Sequence, residues 1–178
     1  MTNVNVEIGD MGSVLAMAER ARKERGNQET VAAILAWVLS EGRIEHRLRA
    51  AGLLAALGSS AAPALPAILT CLAGAEELPT LSADEREFCL LCVEALERIG
   101  PRAQEATSVL VGWLRLDDPE AALAAACAIA RIDKSLDELV LPILMPASQA
   151  VSEWVSSKAF MALRALGLSP GRAAPVAA

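Results

Sequence analysis

A chain of 178 residues can form one compact unit or a row of helical hairpins of about 30 residues each. Apolar residues make up 54% of it, yet Tyr is absent and Phe occurs twice, so the core must be built from Ala, Leu, Val and Ile in blocks that favour helix over sheet. The net charge of −6 weighs against non-specific attraction to nucleic acid or an anionic membrane, which needs clustered Lys and Arg.

Residues 1 to 10 carry Glu7 and Asp10 and lack the basic-then-apolar order of a secretory signal. Apolar stretches are broken by charge, Pro or Gly before the 18 or so residues that span a bilayer, which predicts a soluble, cytoplasmic protein. Residues 11 to 25 and 29 to 40 read as two helices joined at Gly26-Asn27, with Val31, Ile34, Leu35, Val38 and Leu39 as an apolar stripe that also takes in Trp37. The run from Glu19 to Arg25 is basic but interrupted by acids, and reads as a solvated face of the kind a capping hairpin needs, here residues 1 to 45.

Four later segments align without gaps: Arg49 to Gly58, Leu91 to Gly100, Ala124 to Asp133 and Lys158 to Gly167. They end at residues 58, 100, 133 and 167, intervals of 42, 33 and 34. Leu57, Ile99, Ile132 and Leu166 share one column, and Leu54, Leu96, Ile129 and Leu163 lie three residues earlier, a helix stripe. Ala50, Cys92, Ala125 and Ala159 form a column of small residues, as expected where helices approach closely. The terminal column, Gly58, Gly100, Asp133 and Gly167, marks where each helix is left. A second apolar helix follows at Ser59 to Leu72, Pro101 to Leu114 and Ser135 to Met145, so each unit is a hairpin. Pro63, Pro66 and Pro101 sit near helix starts, while Pro142 starts or kinks its helix. The units run over residues 46–72, 84–115, 119–146 and 150–178, the last incomplete, with an acidic inter-repeat loop at 73–83.

The segment from His46 to Leu72 resembles the short HEAT-like repeat of the phycobilin-lyase class, in Leu48-Arg49-Ala50-Ala51, the Ala56-Leu57-Gly58 end and the Pro-containing start of the second helix. Asp117-Asp118-Pro119-Glu120 opens a later unit in the same manner. The resemblance covers roughly residues 46 to 167 and implies an all-α fold, a right-handed α-solenoid (superhelix) of about four to five HEAT-like hairpins. The basic residue usual in the first helix stands at Arg49 and Lys158, but Leu91 and Ala124 occupy its other positions. Such repeats serve as scaffolds, adaptors and inhibitors and only occasionally as enzymes, so function has to be argued from a site.

No catalytic constellation is legible. His46, the single imidazole, lies between Glu45 and Arg47 at a helix start, and the chain carries no P-loop or dinucleotide fingerprint. Cys89 and Cys92 form a CxxC on a helix, but no second ligand pair accompanies them, and Cys71, Cys89, Cys92 and Cys127 read as reduced core thiols without metal. No cofactor is expected. The expectation is a non-catalytic protein–protein interaction module, with a bilin-lyase-type HEAT-like enzyme or a HEAT-like nucleic-acid-binding protein as alternatives. Trp113, Arg115, Trp154, Phe160 and Leu163 are the candidate partner-binding residues, the first two on a face of successive second helices. Trp113 alternatively fills a gap between hairpins. The C-terminal end, with Phe160, Leu163 and Leu166, is predicted to meet a second copy or another protein near Pro175 and Val176, unless residues 168 to 178 fold back over it.

Overall fold

The computed structural model describes residues 11–22, 26–73 and 81–168. Among these residues every regular element is helical: α1 (Met11–Ala21), α2 (Gln28–Glu41), α3 (Ile44–Leu57), α4 (Leu65–Leu72), α5 (Ala83–Ile99), α6 (Thr107–Trp113), α7 (Pro119–Ile132), α8 (Asp137–Ala147) and α9 (Glu153–Ala165). Short 3₁₀ stretches at Gly58–Ala64, Gly100–Ala106 and Lys134–Leu136 precede α4, α6 and α8.

Contacts between helix ends give the directions. Arg86, in the first turn of α5, bonds Asp118 and Glu120 at the start of α7, while Glu97 and Arg131 pair near the ends of the same two helices. α5 and α7 are therefore parallel. Arg102, just past α5, donates to the carbonyl of Ser59, just past α3, at 3.1 Å, so these helices also end together. α3 packs on α5, α5 on α7 and α7 on α9. The intervening helices return the chain: Arg47 in the first turn of α3 lies 3.7 Å from Cys71 Sγ in the last turn of α4. α7 sits centrally, against α5, α6, α8 and α9, and every residue from Ala121 to Ala130 is buried. A helix apolar all round requires such enclosure, and its alanines allow close approach on every side.

The second helices are shorter than the sequence suggests, because the residues after Gly58 and Gly100 form 3₁₀ turns. Ala61 and Ala64, and their repeat equivalents Ala103 and Ala106, are all 0% exposed. With three residues per turn, alanines three apart fall on one side, and this spacing buries them together. Gly58 (φ 58°) and Gly100 (φ 69°) take positive φ to enter these turns. Asp133 in the same column has φ −141°, and its carboxylate accepts from the Ser135 amide at 3.0 Å instead. Pro142 and Pro146 lie inside α8.

Helix starts follow local chemistry. Ser82 and Glu85 form a reciprocal capping box before α5, and Asp118 caps α7 by accepting from the amides of Glu120 and Ala121, with Pro119 at the first helical position. Two expectations for the N-terminal hairpin are corrected. Ile34 and Trp37 are each 40% exposed, because the buried arc of α2 is centred on Val31, Leu35 and Val38 and Trp37 lies well round the helix from it.

Among the described residues one helical stretch, Ile44–Leu72, is long and apolar enough to cross a membrane by length and composition, and its most apolar part is less than half buried. The chain reverses within it at Gly58–Ala64, leaving helices of 14 and 8 residues, or about 21 and 12 Å against the ~30 Å of a bilayer core.

Candidate functional site

A groove of about 890 Å³ runs across the first helices. α5 contributes Glu94, Glu97 and Arg98, α7 contributes Arg131, and α9 contributes Glu153, Trp154, Ser157, Lys158 and Met161. Parallel packing brings these positions together, since Glu94 and Met161 occupy one column of the repeat and Arg98 and Arg131 another. Four of the charges within the groove form two ion pairs. Arg98 bonds Glu94 one turn earlier at 3.2 Å, and Arg131 Nε stands 3.0 Å from Glu97 Oε1. Lys158 places its ammonium 5.1 Å from the centroid of the Trp154 ring, a cation–π contact.

Trp154 also lines a second, apolar cleft of about 540 Å³, together with Ala122 and Leu123 of α7, Ile143 and Ala147 of α8 and Val155 of α9. Its indole therefore stands between a charged groove and an apolar slot while remaining 56% exposed. Exposed Trp with one polar and one apolar neighbourhood suits a binding anchor. Of the residues predicted to contact a partner, Trp154 and Phe160 are exposed, and so is Arg115.

Trp113 and Leu163 are not at the surface. Trp113 is 2% exposed, and its Nε1 has no hydrogen-bond partner among the described residues. The tryptophan replaces Cys71 of the previous unit and fills the space between hairpins, beside a hollow of about 290 Å³ that it shares with Leu72, Val109 and Arg115. Leu163 is 0% exposed because it lies on the inward side of α9 with Ala159 and Ala162. Pro175 and Val176 lie outside the described residues.

Cys89, Cys92 and Cys127 are buried and Cys71 is half-buried, all as free thiols. Burial pushes the Cys89 thiol up to about 11 and Cys127 to about 12, and raises Cys92 well above its usual range. Nucleophilic thiolate chemistry is suppressed at these three positions. His46 lies half-buried in the first turn of α3. Its neighbour Arg47 does the linking, with its guanidinium 4.3 Å from the Phe88 ring centroid.

The groove residues on α5 and α7 escaped the sequence reading, which followed second helices and large apolar side chains. The signal was present in the alignment, where charged residues recur at Glu94, Glu97, Arg98 and Arg131 on otherwise apolar helices. No family model, curated protein or solved structure matches the chain. What the fold and the groove define is an all-helical protein with parallel first helices and an exposed indole at the border of two surface depressions.

Proposed function

We propose that this chain is a short right-handed solenoid of HEAT-like hairpins that acts as a non-catalytic protein-binding module, with the groove over α5, α7 and α9 as its contact surface. Supporting the architecture are the aligned columns, the parallel first helices and the all-round burial of α7 between neighbouring hairpins. The observation that carries the function is Trp154, exposed by more than half beside an apolar cleft that a partner's side chain can enter. The charges along the groove balance, with Glu94, Glu97 and Glu153 against Arg98, Arg131 and Lys158, and offer donors and acceptors without a net field, which suits a protein surface better than a polyanion.

A photo-cross-linking residue placed at Arg98, on the groove, tests this in the native host. It should capture one discrete protein of different mass from this chain, and the same probe at Leu139 on α8 should not. Trp154→Ala should abolish the capture at unchanged melting temperature. Equal capture at both positions, or none at Arg98, would overturn the reading.

A further inference from the structure

α9 packs against α7 and α8 and buries Ala159, Ala162 and Leu163 against them. Its other side exposes Glu153, Ser157, Phe160 and Arg164, which return every three or four residues and form one stripe along a helix about 20 Å long. Phe160, 43% exposed, lies between an acid at one end and a base at the other. Among the described residues neither Glu153 nor Arg164 has an ion-pair partner. Helix-dipole complementarity accounts for an acid in the first turn and a base in the last. It does not account for the aromatic ring exposed between them.

We propose that this stripe is a contact between two copies of the chain, packed as an antiparallel pair of α9 helices about a two-fold axis between Ser157 and Phe160. In that register Glu153 of each copy faces Arg164 of the other, and each Phe160 lies over the small Ser157 of the second copy. The charge pattern is thus complementary to itself, and only when antiparallel. A parallel pair sets acid on acid and base on base, which is repulsive. An unrelated partner would need to reproduce a pattern that a second copy already carries. A single pair of short helices is small beside a standard interface, so the dimer is weak and reversible, with Kd on the order of micromolar or above.

Sedimentation equilibrium of the full chain from about 1 to 500 μM, at low salt, is the test. Glu153→Arg and Arg164→Glu each create two facing like-charge pairs and are expected to weaken the dimer tenfold or more. Combining them restores opposite charges in reversed order and should return the affinity to within about threefold of the original. Both positions are exposed, and unchanged helical circular dichroism verifies the fold of each variant. A wild type monomeric throughout the range, single variants that dimerise as well as the wild type, or a combined variant as weak as the singles would each sink the proposal. Glu153 and Ser157 also border the groove, so the two contacts share an edge. The readouts stay distinct, because sedimentation follows the purified chain alone whereas cross-linking at Arg98 reports a protein of different mass, and either result can fail without the other.

Discussion

Arg86 on α5 holds Asp118, the cap of α7, through hydrogen bonds of 2.9 and 3.0 Å, and the same guanidinium reaches Glu120 at 2.8 Å. One carboxylate thus satisfies the free amides at a helix start and fixes that start to the preceding first helix. A cap contributes about 1 kcal/mol, and a bidentate Arg–carboxylate contact adds to it where exposure is low, as at Asp118 with 15%. Asp118→Ala is expected to cost about 2 kcal/mol, lowering the melting temperature by roughly 4–8 °C for a chain of this size. Asp118→Asn keeps a capping oxygen and should lose about half as much. Equal losses for the two variants would remove the ion pair from the account.

The same carboxylate has a pH signature. Burial raises its pKa, but the Ala121 amide and Arg86 outweigh this and hold it below the usual carboxylate range. A depressed folded-state pKa stabilises the protein above the unfolded-state value, and that contribution disappears as pH falls through the folded value. The melting-temperature gap between wild type and Asp118→Asn should therefore be full near neutrality and narrow below about pH 4. A gap independent of pH would mean that the charge of Asp118 does not contribute.

The all-helical character was legible because the repeat columns impose one period throughout, and Leu54, Leu96, Ile129 and Leu163 are all 0% exposed. Trp113 and Trp37 were harder, for opposite reasons. Large residues report burial only through their angle on the helix, and Trp37 falls outside the arc set by Val31 and Leu35, whereas Trp113 is enclosed by neighbouring hairpins that a single-helix pattern does not represent. The groove depended on residues of α5, α7 and α9 meeting side by side, a consequence of stacking rather than of any local motif. The 3₁₀ turns had a readable sign in the Ala-x-x-Ala spacing after each glycine, which matches a period of three as well as it matches an α-helix.

The two tryptophans give a paired stability prediction. Trp113→Ala removes a fully enclosed ring and is expected to cost about 3–5 kcal/mol, whereas Trp154→Ala, at an exposed site, should stay within about 1 kcal/mol of wild type. Trp113→Phe should recover most of the loss, since the indole N–H it deletes has no partner among the described residues. Chemical denaturation of the three variants measures this. A Trp113→Ala protein as stable as Trp154→Ala would contradict the packing described above.

Cysteine ionisation predicts the alkaline limit of stability. Burial raises Cys89 to about 11 and Cys127 to about 12, so the folded chain keeps thiol protons that the unfolded chain releases near the ordinary cysteine value. Their contribution is complete below the unfolded-state pKa and is lost as pH rises through the folded value. Melting temperature should fall as pH increases above about 9, and Cys127→Ala should flatten that fall while lowering stability at neutral pH. The absence of Tyr removes the usual phenol titration from this range. Under native conditions near pH 8, a thiol reagent should label Cys71 ahead of the other three; rapid labelling of all four would show that the core opens readily.

A single chemical change, Gly to Ala, is expected to act in opposite directions at two places. Gly100 leaves α5 with φ 69° and ψ −140°, a conformation that L-residues with a Cβ adopt only under strain, although among the described residues no neighbouring atom lies within 4 Å of an added Cβ. The cost of Gly100→Ala is therefore backbone strain alone, about 1–3 kcal/mol. Gly52 lies inside α3, and among the described residues a Cβ added there also meets nothing within 4 Å outside its own helix backbone. Gly52→Ala restricts the unfolded chain and suits the helix, which should stabilise the protein by about 0.5–1 kcal/mol. Urea unfolding of both variants, with unchanged m-values to show that the unfolding transition is the same, checks the pair. Destabilisation at Gly52 would show that the α3 surface does not accommodate the added methyl, and stability retained at Gly100→Ala would show that the turn into the 3₁₀ segment does not need its glycine.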